Sequence, residues 1–326
     1  MSLSRNITVP PTLNPERFTF WQPAEDRQLM VGVDQAKFTL PQIILPINGT
    51  DLEEGDPEDA AIGQGVYDYL RQFPDCPHNT VYANLLQQAF PHYLTDLASQ
   101  AVLLDAKDVE TVHVRRKLTG LKILALVEPE NTGLLLLLCR GFYELALSFE
   151  ELVDCRRHLL QAMRYGQELI KVAPKNAYGL HLLAEIDVLF GDYPGADFKW
   201  QRALECAEEE SFKETVAARK QFYTGRPWVE TTLVDNLEAV QKAMELYAND
   251  NSSLALAILD RIEEEGQFAE EMPSAEYFYL LGMCRLKNGE EQGAVSALRR
   301  SLALNDQYEP AQQVLQSLNG GVPEYA

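Results

Sequence analysis

Histidine and cysteine are the residues best suited to bind metals or act as nucleophiles, and in this chain they are scattered. The five histidines show no HExxH spacing or other paired ligand spacing, and the five cysteines form no CxxC pair. Cys76 and His78 lie close together, but their Pro-flanked setting (DCPHN) favours a helix boundary over a reactive or metal-binding site. The unpaired cysteines favour buried free thiols in a reducing compartment.

Sequence motifs of common enzymes are also missing from the chain. No GxxxxGK[ST] phosphate loop, no GxGxxG turn after a strand and no GxSxG nucleophile motif occurs. Carboxylates are so numerous that any catalytic acid–base pair would be an arbitrary choice. We therefore predict a protein that is not an enzyme, with no catalytic residues, no bound cofactor and no bound metal.

The charge of the chain argues against two classes of partner. The 326 residues include 28 lysines and arginines against 49 acidic residues, a formal net charge of −21. Binding to nucleic acid or to an anionic membrane depends on excess positive charge, so neither is expected.

The N-terminus has no apolar signal segment, and the apolar run 133–139 is far shorter than the roughly 20 residues that span a bilayer. We expect a cytoplasmic protein without membrane insertion.

The chain changes character near residue 60. Prolines interrupt the first 60 residues, where Arg17–Trp21 and Lys37–Ile47 are rich in aromatic and β-branched residues and predict short strands or extended segments. From about Ala60 onward, apolar residues recur at three- and four-residue spacing, which predicts helices. We predict four regions: an irregular, extended N-terminal arm (1–60), N-terminal helices (61–130), helix pairs with insertions (131–230), and C-terminal helix pairs with a capping helix (231–320).

Internal repetition is the strongest signal in the sequence. Pro129–Leu138 reads PENTGLLLLL and Pro174–Leu183 reads PKNAYGLHLL, so a proline that closes one helix is twice followed by an Asn-containing turn that opens the next. Further on, Tyr277–Leu304 reads as two helices joined by a tight KNG turn. Repetition of this kind is typical of stacked helix pairs, in which each pair buries its apolar face against its neighbours.

These segments resemble tetratricopeptide repeats, whose pattern combines Leu-Gly, aromatic, Ala and closing Pro positions. In the last unit the matching residues are Phe278, Leu281, Gly282, Gly289, Ala294, Leu298 and Leu302. In the unit that begins near Ala177 they are Leu180, Leu183, Ala184, Gly191, Tyr193, Ala196, Trp200 and Ala203. The pattern is broken at Asp187 and Arg285, where an aromatic is expected, and at Asp306, where the proline would be. The resemblance covers about half of the chain, from Thr132 to Leu318, and includes a weaker pair over 237–264.

The resemblance implies an all-α fold: a right-handed superhelical array of antiparallel helix pairs, preceded by the Pro-rich arm. Small residues such as Gly282, Ala184 and Ala294 would let paired helices approach closely, and large ones such as Trp200 and Phe278 would fill the gaps at the crossings. The alternative is a non-repetitive helical bundle with accidental similarity to the repeat.

The function implied by the resemblance is a non-enzymatic protein-interaction scaffold, adaptor or chaperone-like, that holds a peptide or helix in a concave groove. In the family, the first helix of each pair lines that groove. The corresponding residues here are Leu136, Arg140, Tyr143, Glu144, Tyr178, His181, Leu182, Glu185, Val188, Tyr279, Leu280, Met283 and Leu286. Some of these side chains could instead pack against the N-terminal arm or a neighbouring helix.

The expected partner is a protein or peptide, and the acidity of the chain favours a basic one. Leu204–Glu271 contains 16 acidic and 6 basic residues. This excess of acidic residues indicates either solvated helix faces or a docking surface for a basic partner. The alternatives are a small ligand enclosed by the array, or a role as an accessory subunit of a larger enzyme or envelope-assembly complex. The sequence leaves open whether the chain forms a homo-oligomer.

Overall fold

The computed structural model describes residues 17–32, 36–49, 56–105, 111–226 and 230–319, and this part of the chain is mostly helical. The strands are β1 Phe18–Trp21, β2 Gln28–Val31, β3 Ala36–Thr39 and β4 Leu45–Asn48. The first helices are α1 Asp59–Gln72, α2 Asn79–Ala89, α3 Pro91–Asp105, α4 Thr111–Val127, α5 Thr132–Leu147, a 3-10 helix Phe149–Asp154, α6 Cys155–Val172, α7 Ala177–Leu189 and α8 Tyr193–Cys206. They are followed by α9 Glu210–Tyr223, α10 Leu233–Ala248, α11 Ser252–Glu265, α12 Gln267–Glu271, α13 Ala275–Lys287, α14 Glu291–Leu304 and α15 Glu309–Asn319.

The chain divides into two compact units. The first unit comprises 1–142 and 164–179, and the second comprises 143–163 and 180–326. The boundaries near residues 60, 130 and 230 that the sequence suggests therefore stay predictions. Parts of the predicted N-terminal arm, 1–16, 33–35 and 50–55, lie outside the described residues.

The described part of the N-terminal arm is built from two antiparallel hairpin-like sheets. β1 pairs with β4, with Phe18 opposite Asn48 and Trp21 opposite Leu45, and β2 pairs with β3. β1, β3 and β4 overlap the aromatic and β-branched stretches, which suit a pleated, half-buried surface, whereas β2 lies outside both stretches. Pro46, which lacks an N–H group, is accommodated within β4 because each sheet has only two strands.

The β1–β4 sheet is packed directly on α1. A Cβ atom on Gly65 would lie 2.7 Å from Ile47 Cα, so only glycine permits this approach of backbone to backbone. Asn48 Nδ2 donates a hydrogen bond to Asp68 Oδ2 (3.2 Å), and Tyr82 Oη donates to the carbonyl of Ile44 (2.7 Å). The strands therefore form part of the first unit's core together with α1 and α2.

The second unit contains the helix pairs. α13 and α14 are joined by a turn in which Gly289 has φ +80°, and Ser301 Oγ near the end of α14 donates to the carbonyl of Ala275 at the start of α13 (2.7 Å). This bond fixes the two helices as antiparallel. The prediction of an all-α fold made of antiparallel helix pairs is confirmed.

Capping residues set the start of several helices in this unit. Asp192 accepts a hydrogen bond from the Gly195 N–H at the start of α8, and Thr232 forms a capping box with Asp235 at the start of α10.

Among the described residues no single helix is long and apolar enough to cross a bilayer. One bent pair, Thr132–Leu147 with Phe149–Val172, meets the length and composition criteria only when taken together.

Gly282 provides a direct test of the helix pairing. A Cβ atom there would lie 2.9 Å from Leu298 Cγ and 3.3 Å from the Ala294 carbonyl oxygen, whereas one on Gly120 of α4 would meet only Leu97 Cδ2, at 3.5 Å. We expect Gly282→Ala to lower the free energy of unfolding by about 1–3 kcal/mol through overpacking. The matched control Gly120→Ala should be neutral or stabilising by up to about 1 kcal/mol, because alanine favours helix. Urea unfolding measures both, and equal stability of the two variants would contradict the close approach at Gly282.

Candidate partner-binding surface

The predicted groove residues on α7 that follow Tyr178 are largely covered. Val188 is 1% exposed and Glu185 is 7% exposed, whereas His181 and Leu182 are half-buried. Glu185 Oε1 accepts a hydrogen bond from Arg219 Nε of α9 (2.9 Å), and Arg219 Nη2 binds the second carboxylate oxygen. This bidentate ion pair gives Glu185 an internal role, so Glu185 and Val188 offer a partner almost no free surface.

His181 is part of the same contact between helices. Its Nδ1 accepts a hydrogen bond from Trp200 Nε1 of α8 (3.0 Å), and its ring meets the ring of Phe212 of α9 edge-on, with centroids 5.6 Å apart. Burial is the main cause of the lowered pKa of His181; Arg219 lowers it further and Glu185 opposes the shift. The imidazole is therefore neutral at pH 7, with its lone pair on Nδ1.

A network of aromatic and charged side chains holds α9 in place. Tyr223 stacks on Trp200 and on Tyr193, with centroids 5.6 Å apart in both cases, and its Oη donates to Glu271 Oε2 of α12 (3.0 Å). Arg226 Nη1 donates to Glu271 Oε1 (2.6 Å). Sequence reasoning missed Arg219, Tyr223 and Glu271 because their partners are 34 to 48 positions away and follow no recurring spacing.

The remaining early groove residues fall into different units. Tyr143 and Glu144 belong to the second unit, where Tyr143 is half-buried and Glu144 is exposed. Burial is the main cause of the raised pKa of Tyr143, and the charges of Glu185 and Arg219 also act on this pKa. Leu136 is half-buried in the first unit, and Arg140 and Tyr178 of that unit are exposed, Tyr178 by 46%. That these residues line one continuous surface stays a prediction.

The C-terminal groove residues form a half-buried face on α13. Tyr279, Met283 and Leu286 are half-buried, but Leu280 is only 8% exposed and belongs to the core. The Tyr279 ring meets Tyr308 edge-on, with centroids 5.6 Å apart. Lys287 Nζ lies 4.4 Å from the ring centroid of Tyr247 on α10.

We call Tyr247, Tyr279, Met283 and Tyr308 the tyrosine surface. All four are half-buried, and the helices that carry Tyr247 and Tyr279, α10 and α13, are in contact. α10 and α13 are the first helices of their pairs, the position that the repeat pattern assigns to partner binding. Tyr279 and Met283 were among the groove residues predicted from the sequence. Tyr247 was not, although its place at the end of the first helix of the weaker pair could have indicated it. Tyr308 lies outside the repeat positions.

The buried state of His181 predicts a pH dependence of stability. In the unfolded chain a histidine takes up a proton near pH ~6.5, whereas folded His181 stays neutral to lower pH, so the unfolded chain binds more protons in this window. Stability should therefore fall as the pH drops from about 7 to about 5.5, with a contribution from this residue of at most about 1.4 kcal/mol per pH unit.

His181→Gln should reduce that slope, since glutamine does not titrate. Urea unfolding followed by tryptophan fluorescence at both pH values measures the effect. His92→Gln is the matched control because His92 is exposed on α3. An unchanged slope in His181→Gln would contradict the neutral, Trp200-bonded state.

Comparisons with known proteins give structural matches only. No protein-family model and no curated protein sequence matches the chain. Among solved structures, MamA matches with 12% identity and a TM-score of 0.29 over 71% of this chain and 98% of its own. A tetratricopeptide repeat protein from Parabacteroides merdae matches with 13% identity and a TM-score of 0.29 over 79% and 91%. A thermophilic TPR protein of Thermus thermophilus matches with 14% identity and a TM-score of 0.26 over 70% and 100%.

TM-scores of this size carry no argument about function. The fold assignment rests on this chain's own features: the Gly289 turn between α13 and α14, the close approach at Gly282, and the antiparallel bond from Ser301 to Ala275. By its helix pairs the chain is a helical protein whose fold is similar to that of tetratricopeptide repeats.

Proposed function

We propose that the protein is a non-enzymatic interaction scaffold that binds a peptide or helix through the first helices of its second unit. The observation that carries the proposal is the tyrosine surface. Its three rings are half-buried and retain exposed area: Tyr279 and Tyr308 meet edge-on, and the Tyr247 ring lies against Lys287 of α13. Tyrosine combines a large contact area with a directed polar end and few rotatable bonds, so it is enriched among residues that dominate binding energy.

The charge around this surface supports a partner with basic residues. All six basic residues of Leu204–Glu271 are engaged in ion pairs within the protein; they are Lys213, Arg219, Lys220, Arg226, Lys242 and Arg261. They are outnumbered by the 16 acidic residues of the segment, so a negative excess remains after internal pairing. Such an excess attracts cationic partners and speeds their association at low salt.

The proposed partner is therefore an amphipathic or extended peptide with an apolar centre and basic flanks. The apolar centre would contact the tyrosine surface, and the flanks would meet the acidic segment. Helix-in-groove and extended-peptide recognition both use this combination of apolar anchors and charged edges.

The test is selection from a displayed random peptide library, followed by fluorescence anisotropy on the selected peptides. Tyr247→Ala combined with Tyr279→Ala should weaken binding at least about tenfold, roughly 1.4 kcal/mol, because both rings lose their contact area. Tyr178→Ala tests the exposed groove residue of the first unit separately. Selected peptides should be enriched in lysine and arginine and should bind more weakly as salt rises.

Phe198→Ala is the matched control, since Phe198 is 62% exposed on α8, the second helix of its pair. It should leave binding unchanged, and circular dichroism should show equal helicity for all variants. Failure to select any peptide, or loss of binding in Phe198→Ala but not in the tyrosine variants, would overturn the proposal.

A further inference from the structure

Three possible metal ligands come together where the 3-10 helix Phe149–Asp154 runs into α6. Glu151, Asp154 and His158 are spaced at i, i+3 and i+7, so they recur on one side of the two consecutive helical segments. One donor atom from each side chain lies within 4.8 Å of the other two. All three residues belong to the second unit. The spacing of the histidines and cysteines gives no sign of this group, because two of its three members are carboxylates.

The distances suit a small cation. His158 Nε2 and Glu151 Oε2 are 3.4 Å apart. Two ligands that each lie about 2.0–2.1 Å from a tetrahedral zinc ion are about 3.3 Å apart. The pair is therefore already at the separation that zinc requires, and the third donor, from Asp154, lies within 4.8 Å of both.

Burial makes this group different from an ordinary surface cluster of acids. Glu151 is 5% exposed and His158 is 6% exposed, so both donors lie beneath the surface. Asp154 is half-buried and its Oδ2 accepts a hydrogen bond from Arg157 Nη2 (2.7 Å), a bond that orients the carboxylate. The neighbouring Arg156 bonds instead to Asp235 and Glu238 of α10.

A further buried polar side chain lies on the neighbouring helix. α10 packs against the 3-10 helix and carries Asn236, which is 1% exposed. Within the described part of the chain neither amide atom of Asn236 has a hydrogen-bond partner. Buried amides are normally paired with protein or ordered water.

The donor types select among metals. Calcium and magnesium prefer sites made only of oxygen ligands, and copper(I) prefers thiolate or thioether sulfur. One imidazole with two carboxylates suits zinc, and three protein ligands leave the fourth tetrahedral position for water. We propose that Glu151, Asp154 and His158 bind one zinc ion, which ties the 3-10 helix to the first turns of α6.

The test uses the full-length protein after removal of metals with a chelator. Titration with zinc chloride in a calorimeter should show about one ion bound per chain. In a separate thermal unfolding experiment, zinc should raise the midpoint temperature, and chelator should restore the midpoint of the metal-free protein. Asp154→Asn and His158→Gln should each weaken zinc binding at least about tenfold, as loss of a ligand does. Because Asp154 is half-buried, its variant should fold even where replacement of the buried histidine does not.

Glu150→Gln is the matched control, a change to an exposed carboxylate next to the group but outside it. It should leave zinc affinity unchanged. Cys76→Ser is a second control, because Cys76 lies near His78 and a thiol could bind zinc elsewhere on the protein. The proposal is overturned if wild-type protein takes up no zinc, if Asp154→Asn binds as tightly as wild type, or if binding is lost in Cys76→Ser instead.

Discussion

The ion pair between Arg219 and Glu185 is the interaction on which the middle of the second unit depends. It joins α9 to α7 across 34 positions of sequence, and the stacked rings of Tyr223 and Trp200 lie beside it. A half-buried bidentate pair stabilises only when both partners are present, since removal of one leaves a charge without its counterion. The same contact that orders α9 covers much of the α7 face that the repeat pattern assigns to a partner, and this is why the proposed binding surface lies on α10 and α13 instead.

In stacked helices the terminal element exposes an apolar face, and in the first unit the N-terminal strands cover the apolar face of α1. Leu45 and Ile47 of β4 are fully buried together with Ile62 and Val66 of α1. A two-stranded sheet needs such packing, because alone it is marginally stable in water. The contact at Gly65 shows that the strands lie against the helix backbone itself.

Much of the fold could be predicted because its determinants are local. The Pro–Asn turn signals, the KNG turn and the small residue at Gly282 each act within a few positions or one helix pair, and all are readable in sequence. The site was less predictable, because burial of Val188 and Leu280 depends on which helices cover them. The sequence contains no periodic signal for such long-range contacts, and the same holds for the pairing of Arg219.

The internal pairing of all six basic residues in Leu204–Glu271 has a consequence for self-association. A two-fold symmetric dimer places the same surface of both copies face to face, so each residue of this segment would meet its own equivalent region. With its cations already bound to acids of the same chain, the segment would set like charges opposite one another, which costs free energy at an interface. Two-fold pairing through this segment would therefore be electrostatically unfavourable.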